Sequence, residues 1–165
     1  MQDSNGLKKL YIDQLNDLYS GEQQILKALP KMAQKASHPE LRDAFKEHEQ
    51  QTRQHVQRLE QVFQQLGEKA GNETCKGMQG ILSEGDEVMN KYSDSDVLDA
   101  ALIAAAQRVE HYEMAGYGCV CTYADTLGMQ DQAELLQQTL EDEEDTDQKL
   151  SDIAESVVNA DAMDR

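Results

Sequence analysis

The sequence predicts an all-α fold: a four-helix bundle of two antiparallel hairpins, with an extra short helix in the long connection between them. Three observations carry this. The chain of 165 residues has two prolines, no tryptophan and 5% aromatic residues. Gln, Glu, Asp, Ala, Leu and Lys dominate, a composition that favours helix over strand. Apolar residues recur at alternating spacings of three and four along four stretches of roughly 30 residues, and no stretch alternates with period two.

The first long helix reads from about Ser4 to Ala36, with Pro30 expected to bend its last turns. Ser37, with Glu40 three residues on and Pro39 in the first turn, marks the start of the second. It runs to Leu66, where Gly67 supplies a stop. Residues 68–92 hold a shorter helix whose apolar stripe is Cys75, Met78, Ile81, Leu82 and Met89. Ser93-Asp94-Ser95 is expected to cap the third long helix, which ends at Gly128. The fourth runs from about Gln130 to Asn159, and the acidic tail Asp161 to Arg165 is expected to fray.

All of residues 1–165 read as one domain. A 30-residue helix is about 45 Å long. The short connections make hairpins, whereas about 26 residues join the second and third long helices, enough to run the length of the bundle. Hairpin, long crossover, hairpin is the ferritin-like arrangement rather than the simple up-and-down one.

The net charge is −17, from 15 basic and 32 acidic residues. Nucleic acid and anionic membrane surfaces repel such a chain, so neither is expected as a partner. No window approaches the roughly 18 to 20 apolar residues that span a bilayer. The N-terminus, Met1-Gln2-Asp3-Ser4-Asn5, lacks the basic and apolar regions of a secretion signal. Cys75, Cys119 and Cys121 are an odd number without CxxC spacing, which speaks against a disulfide framework or zinc site. They are expected as small buried or half-buried fillers in a cytoplasmic, reducing compartment.

Polar residues able to bind metal interrupt all four apolar seams. The first reads Leu7, Tyr11, Leu18, Glu22, Ile25, Leu29; the second Leu41, Phe45, His48, Thr52, His55, Leu59, Val62, Leu66. The third reads Leu102, Ala106, Val109, Glu113, Gly116, Val120, Tyr123, Leu127, with Glu110 one turn before Glu113. The fourth reads Ala133, Leu136, Leu140, Glu143, Asp147, Leu150, Ala154, Val157. Glu22 lies 15 residues before Ser37 and Thr52 lies 15 after it; Glu113 lies 15 before Gly128 and Glu143 lies 15 after it. In each hairpin the polar residues therefore meet about 22 Å from the turn, at mid-bundle.

Each residue has a plainer alternative. Glu22 at a seam edge reaches water; His48 and His55 are hydrogen-bonded core histidines; Glu110 and Glu113 form a solvated flank. Glu143 stands in the acidic run Glu141 to Asp145. Matched depth on four helices favours convergence, and converging buried acids repel one another unless protonated or bound to cations. Carboxylates with some imidazole suit iron or manganese, two ions per chain. The candidate ligands are Glu22, His48, His55, Glu110, Glu113, Glu143 and Asp147. Tyr19, Tyr112 and Tyr117 are close enough in register to hydrogen-bond them, while His38 and His111 read as structural.

The stretch Asp99-Ala-Ala-Leu-Ile-Ala-Ala-Ala-Gln-Arg-Val-Glu-His-Tyr-Glu113 closely resembles the YciE/YciF-type ferritin-like proteins, bacterial proteins linked to stress responses. Leu18-Tyr-Ser-Gly-Glu22-Gln, Arg58-Leu-Glu-Gln-Val-Phe63, Thr139-Leu-Glu-Asp-Glu143 and Thr146-Asp147 are similar to that family too. The resemblance covers about residues 7 to 157 and implies a ferritin-like bundle, a homodimer and a di-metal centre, without naming a reaction. Glu110-x-x-Glu113 also resembles the third-helix Glu-x-x-Glu of rubrerythrins. Relatives of the wider fold carry Glu-x-x-His on two helices. This chain has neither: the second long helix offers His48, Gln51 and His55, and the fourth offers Glu143, Thr146 and Asp147.

Two functions follow as expectations. One is a stress-associated di-iron or di-manganese carboxylate protein that oxidises ferrous iron with oxygen or peroxide. The other is a metal-free dimeric bundle acting as a structural or interaction protein.

Overall fold

The computed structural model describes residues 4–93 and 95–163. The helices are α1 (Ser4–Lys35), α2 (Pro39–Leu66), α3 (Lys76–Lys91), α4 (Leu98–Thr126) and α5 (Gln130–Ile153). A π-helical turn, Ala154–Val158, and the short α6 (Asn159–Asp161) follow. Among the described residues there is no strand, and no helix is long and apolar enough to cross a membrane. α1 packs on α2 and α4 on α5 as two hairpins, while the crossover helix α3 lies against α4 and α1. This is the predicted four-helix bundle with its extra helix.

Several helix ends form differently from expectation. Ser37 and Glu40 do not make a capping box: His38 is the N-cap of α2 and its side chain makes no capping bond. Instead Asp99, in the first turn of α4, accepts hydrogen bonds from the backbone N–H of Ser37 (2.9 Å) and His38 (2.7 Å). Two backbone donors at the entrance to α2 are thus satisfied from another helix, which ties the α1–α2 turn to α4. Residues 93–95 likewise do not begin α4, whose N-cap is Val97; Asp94 lies outside the described residues. Helix α1 continues through Pro30 to Lys35. At the other end of α2, Gly67 stops the helix as predicted, in the left-handed region at φ 70°. In the acidic tail, Asp161 closes α6, and residues 164–165 lie outside the described residues.

The core divides into two apolar clusters. Ile25, Leu29, Leu41, Phe45, Leu102 and Leu150 belong to one, at the α1–α2 turn end. Tyr11, Leu15, Leu59, Val62, Val120 and Leu136 belong to the other, at the α4–α5 turn end. Between them lies a polar layer, and every long helix crosses it. α1 passes from Leu18 through Glu22 to Ile25, and α2 from Phe45 through His48, Thr52 and His55 to Leu59. On α4 the layer is Glu110 and Glu113; on α5 it is Thr139, Glu143 and Thr146.

α5 is rotated by one position on either side of Glu143 relative to the predicted seam. Its buried positions are Leu136, Thr139, Glu143, Thr146, Leu150 and Ile153, not Leu140 and Asp147. The π turn then inserts an extra residue, so Val158 follows Ile153 inward, and Ala154 and Val157 are only half-buried. α4 and α1 approach closely at Gly116, where a Cβ would lie 2.7 Å from Leu18 Cδ2.

Candidate metal centre

Six of the seven predicted ligands converge in the polar layer. Ligand atoms of Glu22, His55, Glu113 and Glu143 all lie within 4.8 Å of one another, as do those of His48, Glu110 and Glu143. Glu143 is common to both groups. The seventh, Asp147, stands apart from both and faces His111 at 3.1 Å. The rotation of α5 explains this, because Thr146 takes the inward position.

α2 presents its two imidazoles through opposite nitrogens. His48 Nε2 lies 3.1 Å from Glu110 Oε1 and 3.7 Å from Glu143 Oε2. Its Nδ1 is 3.3 Å from both Gln51 Oε1 and Thr146 Oγ1. Those oxygens accept the Nδ1 proton and leave Nε2 for the centre. His55 is turned the other way. Its Nε2 pairs with Asp142 at 3.2 Å, and Arg58 holds the same carboxylate oxygen at 2.7 Å. His55 Nδ1 then faces Glu143 (3.0 Å) and Glu22 (3.4 Å), within ion-pair distance but without hydrogen-bond alignment. Each ring is fixed at its outer nitrogen, as metal-bound histidines are.

Burial and mutual charge set the protonation of this array. Burial disfavours a charged His48, yet the Glu110 and Glu143 carboxylates outweigh it and raise its pKa to about 9. Burial also opposes charge on His55, but its hydrogen bond to Asp142 and the nearby carboxylates of Glu143 and Glu22 push it up to about 12. Burial, then the charge of Glu143, holds Glu110 well above the usual carboxylate range. Burial, then Glu22 and Glu143, does the same to Glu113. Burial would raise Glu143 as well, but the neighbouring Glu110 carboxyl and the two imidazoles hold it below that range. Burial and Glu22 keep Tyr117 protonated, and its hydroxyl donates to Glu22 at 2.5 Å.

Even so, Glu22 Oε2, Glu110 Oε2 and both oxygens of Glu113 and Glu143 are buried without a hydrogen-bond partner, as is His55 Nδ1. An unsatisfied buried carboxylate costs several kcal/mol. Oxygens of four glutamates with two oriented imidazoles suit hard or borderline divalent cations, so the donor set fits a metal pair.

Of the three tyrosines expected to support the ligands, Tyr117 does so. Tyr19 instead donates to Glu60 (3.2 Å), and Tyr112 donates to Asp17 (2.9 Å) beside Cys75 Sγ. The sequence reading missed Thr139, Asp142 and Thr146 as supporting groups. It also missed Arg58, which does carry a signal. Three residues past His55, it shares that residue's helix face, and from there it reaches the Asp142 carboxylate that holds the ring. Cys75 is buried and caps α3, accepting from the Met78 N–H at 3.3 Å. Cys121 is buried, and burial raises its pKa to about 11. Cys119 is exposed, unlike the filler expected.

Comparison with known proteins agrees with this architecture. Over 160 residues the chain is 41% identical to protein YciF of Escherichia coli (strain K12), covering 96% of each. The crystal structure of that E. coli stress protein superposes with a TM-score of 0.89, covering 96% of this chain and 99% of the other. YcfI of Rhodopseudomonas palustris matches with a TM-score of 0.86 at 38% identity, covering 92% and 96%. Protein XCC3681 of Xanthomonas campestris pv. campestris shares the fold, with a TM-score of 0.75 at 20% identity over 94% and 95%. The family described as a domain of unknown function, DUF892, matches residues 6–163. This chain therefore belongs to the DUF892 family.

Proposed function

We propose that the protein is a cytoplasmic, homodimeric stress protein that binds two iron or manganese ions per chain in its polar layer. The observation that carries the reading is the set of buried, unpartnered carboxylate oxygens of Glu22, Glu110, Glu113 and Glu143, brought together from three helices. Glu22, His55 and Glu113 would hold one ion and His48 and Glu110 the other, with Glu143 within reach of both. Bound there, an iron pair would supply one-electron redox chemistry, with ferrous iron oxidised by oxygen or peroxide. The chain's own part is to orient and exclude. Asp142 with Arg58, and Gln51 with Thr146, fix the imidazoles; Tyr117 steadies Glu22; the two apolar clusters keep bulk water out. The resemblance to a stress protein supports the setting of the reaction.

The test is iron-dependent peroxide consumption by wild type, His48→Ala, Glu143→Ala and a triple Cys→Ser variant. The reading requires loss in the two ligand variants and retention without thiols. Consumption that survives ligand removal and vanishes with the thiols would assign it to cysteine, with Cys119 the accessible one.

A further inference from the structure

A cleft of about 240 Å³ opens between α1, α3 and α4, floored by Met32, Leu82, Leu102 and Val109. A second, much smaller chamber of about 10 Å³ lies further in. The two share Ala28, Met32, Leu82 and Val109 as walls, so only these side chains stand between them. The inner chamber is lined by seven apolar side chains and one carboxylate, that of Glu110, whose Oε2 is buried and unpartnered. Cleft and chamber therefore lie one after the other between the surface and one of the two ligand groups, parted only by mobile side chains.

Size, polarity and charge select what can pass. The inner chamber is on the scale of a single water-sized sphere, about 10–15 Å³. Water there needs two to four polar partners and finds Glu110 alone, and peroxide, with two hydroxyls, is disfavoured for the same reason. A hydrated cation is disfavoured too, because the seven apolar side chains offer nothing to replace its water shell. A small, apolar, uncharged molecule meets none of these obstacles. We propose that this cleft and chamber form a passage for dioxygen to the Glu110 side of the centre, with the crossover helix α3 as one wall. Its destination rests on the metal-centre reading; the passage itself does not.

Dioxygen is paramagnetic and can be followed directly. Chelator-treated, methyl-labelled protein is equilibrated under raised dioxygen pressure, and methyl relaxation is read by NMR. The methyls of Ala106 and Val109 should relax several-fold faster than those of Leu18 and Ala133, which are buried to a similar degree but lie in the other cluster. Ala28→Phe, at the half-buried junction, should remove the enhancement at Ala106, and Leu82→Ala should increase it. Equal relaxation in both clusters would overturn the proposal, as would an enhancement that neither variant changes. If Ala28→Phe fails to fold, Leu82→Ala decides alone. Metal content of the same preparations tests the other reading separately. Dioxygen uptake without metal binding leaves the passage and removes its destination; metal binding without uptake removes the passage only.

Discussion

Glu143 faces both His48 and His55 and belongs to both ligand groups, which makes it the residue on which the centre depends most. Glu143→Gln should lose both ions, whereas Glu113→Gln should lose mainly the ion shared with Glu22 and His55; elemental analysis of reconstituted variants distinguishes them. The metal-free array also makes a pH prediction. His48 has a folded pKa of about 9 against an ordinary 6.5, so its stabilising contribution is complete below 6.5 and lost as pH rises through 9. Glu110 and Glu113, held above the ordinary 4.5, act in the same sense, because the folded state retains protons that the unfolded state releases. Glu143 acts oppositely, but only below 4.5. Calorimetry of metal-free protein should therefore show Tm falling from pH 6.5 to 9, while saturating Mn(II), which displaces the same protons, reduces the fall. A flat metal-free profile would contradict this protonation scheme.

At the scale of elements, the start of α2 depends on a carboxylate from α4. Asp99→Ala removes both capping bonds to Ser37 and His38 and should cost about 1 kcal/mol. That lowers Tm by about 2–4 °C for a chain of this size. Glu40→Ala, by contrast, should leave Tm nearly unchanged, and an equal loss in both would restore the local capping box. This cap was not legible in the sequence, because Ser37 and Asp99 are 62 residues apart and meet only once the bundle forms. Helix number, the hairpins and the crossover were legible, since long amphipathic stretches and glycine stops act locally. On α5 the sequence allowed two seams through Glu143, both spaced by threes and fours. Spacing alone puts Leu140 and Asp147 in line with Glu143 and Leu150, but packing places Thr139 and Thr146 inward, where a hydroxyl is less costly to bury than a charge. The matched depth of Glu22, His48, His55, Glu110, Glu113 and Glu143 was legible because helix rise converts residue counts into distance.

Over the whole molecule, a polar layer between two apolar clusters joins all four long helices at one level. Its unpartnered carboxylates weaken the bundle at its middle, and on the proposed reading bound ions would cross-link both hairpins. The chain should assemble as a symmetric homodimer, the commonest closed oligomer. Light scattering should give twice the 18.5 kDa of the chain, and a mass of several hundred kilodaltons would contradict it. Each bound ion should raise folding stability by about 2.7 kcal/mol at a hundredfold excess over its Kd. The most direct measurement is anaerobic reconstitution of untagged protein with Fe(II) and, separately, Mn(II), followed by elemental analysis after removal of loose ions. The account predicts two ions per chain, lost on chelation; protein that stays metal-free with both would contradict it.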